Sequence, residues 1–159
     1  VFFDGEDYGR PEWLPAMQDG YKTWCLGSQF WAENPHRLGY RARFGILLDM
    51  VGAGDAVFHQ EGTSLRYAPH AVRKIWKHAA DLGFGDRFDP SPTPPTVDDN
   101  LFVSELAGIP SANIVDYRTQ VQPMGYGPFH HPHADNMDVI DRETLAQVGA
   151  TVLSVVRQP

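Results

Sequence analysis

The sequence predicts an α/β fold: a three-layer sandwich with a largely parallel central sheet flanked by helices. Three observations predict it. Short apolar runs suited to buried strands alternate with stretches of helical period. The runs 1–3 (Val1-Phe2-Phe3) and 44–48 (Phe44-Gly45-Ile46-Leu47-Leu48) are almost continuously apolar, as parallel strands covered on both faces are. Acidic residues follow directly on these runs, at the carboxyl ends of strands, where open α/β sheets collect their ligands.

The elements follow in order. Residues 1–3 read as a short buried strand running into the acidic turn Asp4-Gly5-Glu6-Asp7. Residues 10–21 are rich in Pro, Gly and polar side chains and read as a loop. Thr23 is placed to cap a helix over 24–33 that ends at Asn34-Pro35, with Trp24, Phe30 and Trp31 in the core. A second strand spans 41–50, closing on Asp49 and the Gly52-Ala53-Gly54 turn. Pro69 and Gly83 bracket the next helix, and Val72, Ile75, Trp76, Ala79 and Leu82 give it one buried face. Four prolines in 83–96 predict a loop. Asp98 is an N-cap candidate for a short helix to Leu106, stopped by Gly108 and Pro110. The third strand is 111–117, around Ala112-Asn113-Ile114-Val115. A long loop over 118–137 holds Met124-Gly125-Tyr126-Gly127 and a histidine cluster, His130, His131 and His133. Asp141 caps a last helix with Leu145, Val148, Val152 and Val155 as its core face.

Composition narrows the function classes. The 159 residues suffice for one domain with a real core, and the reading is a single domain over 1–159. Thirteen Lys and Arg against 20 Asp and Glu give a formal charge of −7, which argues against nucleic acid as a partner. No run is long enough for a membrane span. Cys25 is the sole cysteine, so neither an internal disulfide nor a Cys-based zinc site is expected. The chain opens inside an apparent central strand, so an upstream segment of the same protein is expected to complete the sheet, whose edge is otherwise exposed.

Three acidic clusters therefore lie just beyond buried segments: Glu6-Asp7, Asp49 and Asp98-Asp99. Strand ends in a parallel sheet share one edge, so these groups can converge. Adjacent acids can divide labour, one binding a metal while its neighbour moves a proton. A mixed Asp/His set without thiolate suits catalytic zinc. Spacing alone does not rank His131 against His133.

These blocks carry a resemblance. Phe2-Phe3-Asp4-Gly5-Glu6-Asp7, Leu47-Leu48-Asp49-Met50-Val51-Gly52, Asp98-Asp99-Asn100-Leu101-Phe102, and His131 followed by Asp135-Asn136 resemble four successive blocks of the zinc exopeptidase clan. That clan holds the bacterial aminopeptidases and the glutaminyl cyclases. Trp24-Cys25-Leu26-Gly27-Ser28-Gln29 is similar to the bacterial cyclase-like members.

The resemblance implies a phosphorylase/hydrolase-like zinc exopeptidase fold, of which this chain is the carboxyl-terminal part. By position it implies Glu6 as general acid/base, and Asp7 and His131 as zinc ligands. Asp49 is a second metal ligand in two-zinc aminopeptidases and a hydrogen-bonding acid in cyclases. Asp99 matches an acid common to both branches. Asp98 matches an acid of the cyclases, where aminopeptidases carry a small hydroxyl residue. Tyr126 and His130, with Trp13 behind them, match substrate-pocket walls. One zinc is implied for a cyclase and two for an aminopeptidase. A further zinc-binding Asp of the clan lies upstream of the Glu6-Asp7 block, so two ligands alone are expected to hold zinc poorly. The expected function is conversion of an N-terminal Gln to pyroglutamate with release of ammonia. Aminopeptidase hydrolysis and an inactive, binding-only remnant are the alternatives. The partner is a peptide with a free N-terminus, and the resemblance implies a periplasmic or secreted location.

Overall fold

The computed structural model describes residues 1–8, 23–118, 125–130 and 132–158. Helix α1 (Leu26–Glu33) is followed by β1 (Gly45–Asp49), β2 (Phe58–Gln60), α2 (Gly62–Tyr67) and α3 (Pro69–Asp81). Then come β3 (Phe88–Pro92), α4 (Asp99–Leu106), β4 (Ser111–Val115), β5 (Tyr117–Arg118), β6 (Gly125–Tyr126) and α5 (Arg142–Arg157). The pairs β1–β4 and β2–β3 are both parallel, and helices flank them. This is the α/β architecture that the sequence predicts.

Strand β4 sets the layers. It is buried along its whole length and pairs with β1 in register, Leu47 opposite Asn113 and Asp49 opposite Val115. Successive side chains of a strand point to opposite faces. Ala112 and Ile114 join a core with Val72, Ile75, Trp76 and Ala79 of α3 and Val148 and Val155 of α5. Asn113 points the other way, toward the start of α4. One face of β4 is thus packing, and the other carries Ser111 and Asn113.

The core owes much to three aromatic rings. Phe58 of β2 and Phe88 of β3 are fully buried with centroids 5.1 Å apart, and Trp76 of α3 meets Phe88 edge-on at 5.7 Å. The Trp76 indole N–H donates to the Asp89 carbonyl at 2.8 Å, so its one polar atom is satisfied. Beside them Ile75 is fully buried on α3. Ile75→Val should cost about 1 kcal/mol. It should appear as a lower denaturant midpoint with an unchanged slope.

Several sequence expectations need correction. Residues 1–3 form no strand: no strand among the described residues pairs with them, and Phe2 stands fully exposed. The acids Glu6 and Asp7 lie instead in a single 3-10 turn. The second strand is shorter than 41–50, and Leu48 is 46 % exposed. Strand β1 is half-buried along its length apart from the exposed Leu48, so its apolar run is not covered on both faces. Thr23 does not cap α1; Cys25 occupies that position in a left-handed conformation, with no side-chain cap. The aromatic residues of α1 are not core. Phe30 is 69 % exposed, and Trp31 joins a surface cluster with Phe3, His36 and Tyr40.

Within 83–96 a strand, β3, forms despite Pro90 and Pro92, because it pairs on one side only, with β2, among the described residues; an edge strand tolerates proline. The third strand ends at Val115 rather than 117, and Tyr117–Arg118 pairs instead with Gly125–Tyr126 of the expected loop as the short antiparallel β5–β6. Leu82 and Leu145 are both exposed, Leu82 because it lies past the last turn of α3. Asp98 and Asp141 do cap α4 and α5. No helix among the described residues is long and apolar enough to cross a membrane.

Candidate functional site

Glu6, Asp49, Asp98 and Asp99 line one cavity of about 600 Å³ alongside β1. Each arrives from a different element. Glu6 comes from the 3-10 turn, Asp49 from the end of β1, and Asp98 and Asp99 from the start of α4.

Asp98 is the most constrained of them. It is 2 % exposed, and both of its oxygens accept hydrogen bonds. The Asp99 backbone N–H donates to Oδ1 and the Asn113 side-chain amide to Oδ2, each at 2.6 Å. Asn113 is held in turn by β4 and by Ser64 Oγ, which accepts its backbone N–H at 2.8 Å. Ser64 donates to the fully buried Glu61, whose carboxylate also accepts the N–H groups of Thr63, Ser64 and Thr96. A buried carboxylate is tolerated only when it is so fully bonded. Glu61 thereby ties the segment entering α4 to the corner between β2 and α2, and so fixes Asp98 in space.

Charge is crowded here. Burial, then the Asp49 carboxylate, hold Asp98 well above the usual carboxylate range; Glu6 and Asp99 add to this, and the Asp99 N–H opposes it. Burial also raises Asp99, helped by the charge of Asp7 and opposed by hydrogen bonds from Ser28 and Cys25. Burial pushes the Cys25 thiol up, and Asp99, Asp98 and Glu6 push it further, so it stays protonated. One ligand atom each from Glu6, Cys25 and Asp98 lie within 4.8 Å of one another. Asp99 Oδ1 is buried without a hydrogen-bond partner among the described residues. Acids that raise one another's proton affinity, with an orphaned carboxylate oxygen among them, fit a neighbouring cation.

Tyr126 belongs to the same field. Burial raises its phenol, and the charges of Asp98, Asp49 and Glu6 raise it further. His130 stacks on its ring with centroids 4.4 Å apart and 22° between planes. Their turn is seated on an ion cluster: Arg118 donates to Asp116 at 2.6 Å and to Asp55 at 2.9 Å. A Cβ at Gly127 would come within 2.9 Å of Asp116 Oδ2 and 3.1 Å of Arg118 Nε, so the side chains of the cluster would have to shift to admit one.

The structure therefore brings Glu6, Asp49, Asp98 and Asp99 into one cavity, with Tyr126 in reach of its charge and His130 stacked on Tyr126. Asp7 lies on the exposed side of the turn, close enough to act on Asp99. His131 and Trp13 lie outside the described residues. Asn113, Cys25 and Ser28 enter the site without having been singled out as site residues. Asn113 had a signal, a polar side chain in the middle of an apolar strand. Cys25 and Ser28 had none beyond their place in the Trp24–Gln29 block.

Comparison with known proteins gives the arrangement its relatives. The sequence profile of Peptidase family M28 matches residues 1–156. Among solved structures, a Zn-dependent exopeptidase from Parabacteroides distasonis is 44% identical with a TM-score of 0.90, covering 99% of this chain and 53% of its own. The glutaminyl cyclase of Tannerella forsythia is 46% identical with a TM-score of 0.89, covering 99% and 53%. A leucine aminopeptidase precursor from Bacteroides thetaiotaomicron is 44% identical with a TM-score of 0.88, covering 99% and 52%. The chain thus spans about half the length of these structures. A search of curated proteins returns no match. Zinc-dependent relatives support zinc as the metal that suits these acids. Profile, fold and the convergence of acids agree: the chain belongs to Peptidase family M28.

Proposed function

We propose that these residues form the acid cluster of a zinc-dependent glutaminyl-peptide cyclotransferase. The observation that carries this reading is Asp98, buried and gripped on both oxygens, in one cavity with Glu6 and Asp49. A cyclase must hold a neutral amide while a nitrogen leaves it, and a clamped acid is suited to that task. Similarity to glutaminyl cyclases at 41–46% identity supports it.

The substrate is a peptide that begins with Gln. Its α-amine nitrogen attacks the side-chain amide carbon, a C–N bond forms to close a five-membered ring, and the bond to the amide nitrogen breaks. Glu6 takes the proton from the attacking amine and delivers it to the departing nitrogen, which leaves as ammonia. Asp98 orients that nitrogen, and Asp49 holds the charge balance around Asp98. Tyr126 and His130 offer an aromatic wall for the substrate's body. Asp7 and His131 are assigned as zinc ligands, and one bound zinc would supply Lewis-acid polarisation of the amide oxygen.

Aminopeptidase action is the second reading, favoured by the leucine aminopeptidase precursor among the relatives. There Glu6 would act on a water, and Asp49 would join the ligands of a second zinc. Supplying zinc and a Gln-peptide decides between them. Ammonia release without hydrolysis of neutral aminoacyl amides is expected. Hydrolysis of the amides without ammonia would replace the cyclase reading by the second, and no turnover of either would leave a binding-only remnant.

A further inference from the structure

The Trp24–Gln29 block, which brings Cys25 and Ser28 into the site, lies directly against the turn that carries Glu6 and Asp7. The first N–H groups of a helix have no partner within it. In α1 they are taken by the turn: Cys25 N donates to the Glu6 carbonyl at 2.8 Å, Leu26 N to Gly5 at 3.0 Å and Gly27 N to Asp4 at 2.8 Å. The N-cap Cys25 makes no side-chain cap, and the backbone of the acid-bearing turn takes that place. Two backbone features make the contact possible. Cys25 adopts the left-handed conformation, φ 53°, which bends the chain into α1. Gly5 does the same on the other side at φ +67°.

Gly27 is the point of closest approach. A Cβ there would lie 2.3 Å from the Asp4 carbonyl oxygen and 2.6 Å from the Asp4 nitrogen. Both atoms are backbone, so the turn itself would have to move. On its far side the start of α1 packs along α4, with Cys25 and Ser28 near enough to Asp99 to act on its carboxyl, while the Ser28 hydroxyl donates to the Cys25 carbonyl at 3.0 Å. We propose that the start of α1 is the register between the two acidic turns, and that Gly27 is a positioning residue setting the distance from Glu6 to Asp98. The inference rests on the cyclase reading only through the role given to Glu6.

Two measurements test it. Amides in the first turn of a helix ordinarily exchange fast, because they lack intrahelical acceptors. Here the amides of Cys25, Leu26 and Gly27 should exchange at least about tenfold more slowly than unprotected ones. Gly27→Ala should abolish that protection. It should also lower kcat by up to about 10²-fold with KM little changed, the loss expected when a catalytic group shifts by about 1 Å. Gly149→Ala in α5, where an added Cβ meets nothing within 4 Å, is the control and should leave turnover unchanged. Unprotected amides in the wild-type chain would overturn the proposal whatever the reaction is, because exchange is read without substrate. Protected amides with a Gly27→Ala variant of wild-type kcat would overturn it as well. Protected amides in a chain that never turns over Gln-peptides would leave the register standing and remove the cyclase reading instead.

Discussion

Glu6→Gln should reduce turnover of a Gln-peptide by about 10³-fold, the scale of a lost general acid/base. The amide is nearly isosteric with the carboxylate and cannot accept the proton of the attacking amine. Glu6 is half-buried in a turn held by backbone hydrogen bonds, so the fold should survive the change. Zinc content should also survive, because the neighbouring Asp7, not Glu6, is assigned as the ligand. The electrostatics supply a second readout. Glu6 is one of the charges that raise Asp98, Cys25 and Tyr126. Neutralising it should lower all three pKa values in metal-free protein, with the Asp98 carboxyl followed by NMR titration. Undiminished ammonia release from the variant would show that another group moves the proton.

How much of this was legible in the sequence depended on whether a residue's role is local. Pro69, Asp98 and Asp141 mark helix starts through their own chemistry, and α3, α4 and α5 begin there. Strand β4 was legible because its buried run has no competing pattern. Strand β3 was not, because Pro90 and Pro92 argue against a strand unless one knows that it has a single neighbour. Helix α2 is six residues long and depends on the buried Glu61 cap, which a sequence scan reads as an ordinary surface acid. The site divides in the same way. Acids after apolar runs announce themselves by type and place. Asn113, Cys25 and Gly27 matter because of what lies opposite them, 15 or more positions away in the chain. The 1–3 run misled for a related reason: its apolar residues look like a strand, but a strand needs a partner, and none is present among the described residues.

Asp98→Asn should separate the two roles that Asp98 holds, capping α4 and serving the reaction. Asparagine caps helices about as well as aspartate, so α4 should form. The new amide nitrogen would face a donor, but Asn113 Oδ1 is buried without a partner among the described residues, and a flip of the Asn113 amide would offer it as acceptor. The variant should therefore fold. Its stability should differ from wild type in a way that depends on pH. Burial and the charge of Asp49 raise the folded-state pKa of Asp98 above the unfolded value near 3.9. Between those two values the folded chain keeps a proton that the unfolded chain has released. Stability of the wild-type, metal-free protein thus falls as pH climbs from about 4 through the folded pKa. Asparagine carries no such penalty, so the variant should match wild type near pH 3 and melt higher at pH 7. Turnover should nonetheless drop by about 10²–10³-fold, the cost of removing a fixed polar group that orients the reacting nitrogen. A gain in melting temperature at neutral pH combined with that loss of ammonia release would mark Asp98 as a residue kept for chemistry at the expense of stability. A variant with unimpaired turnover would reduce Asp98 to a helix cap and take away the observation on which the cyclase reading stands.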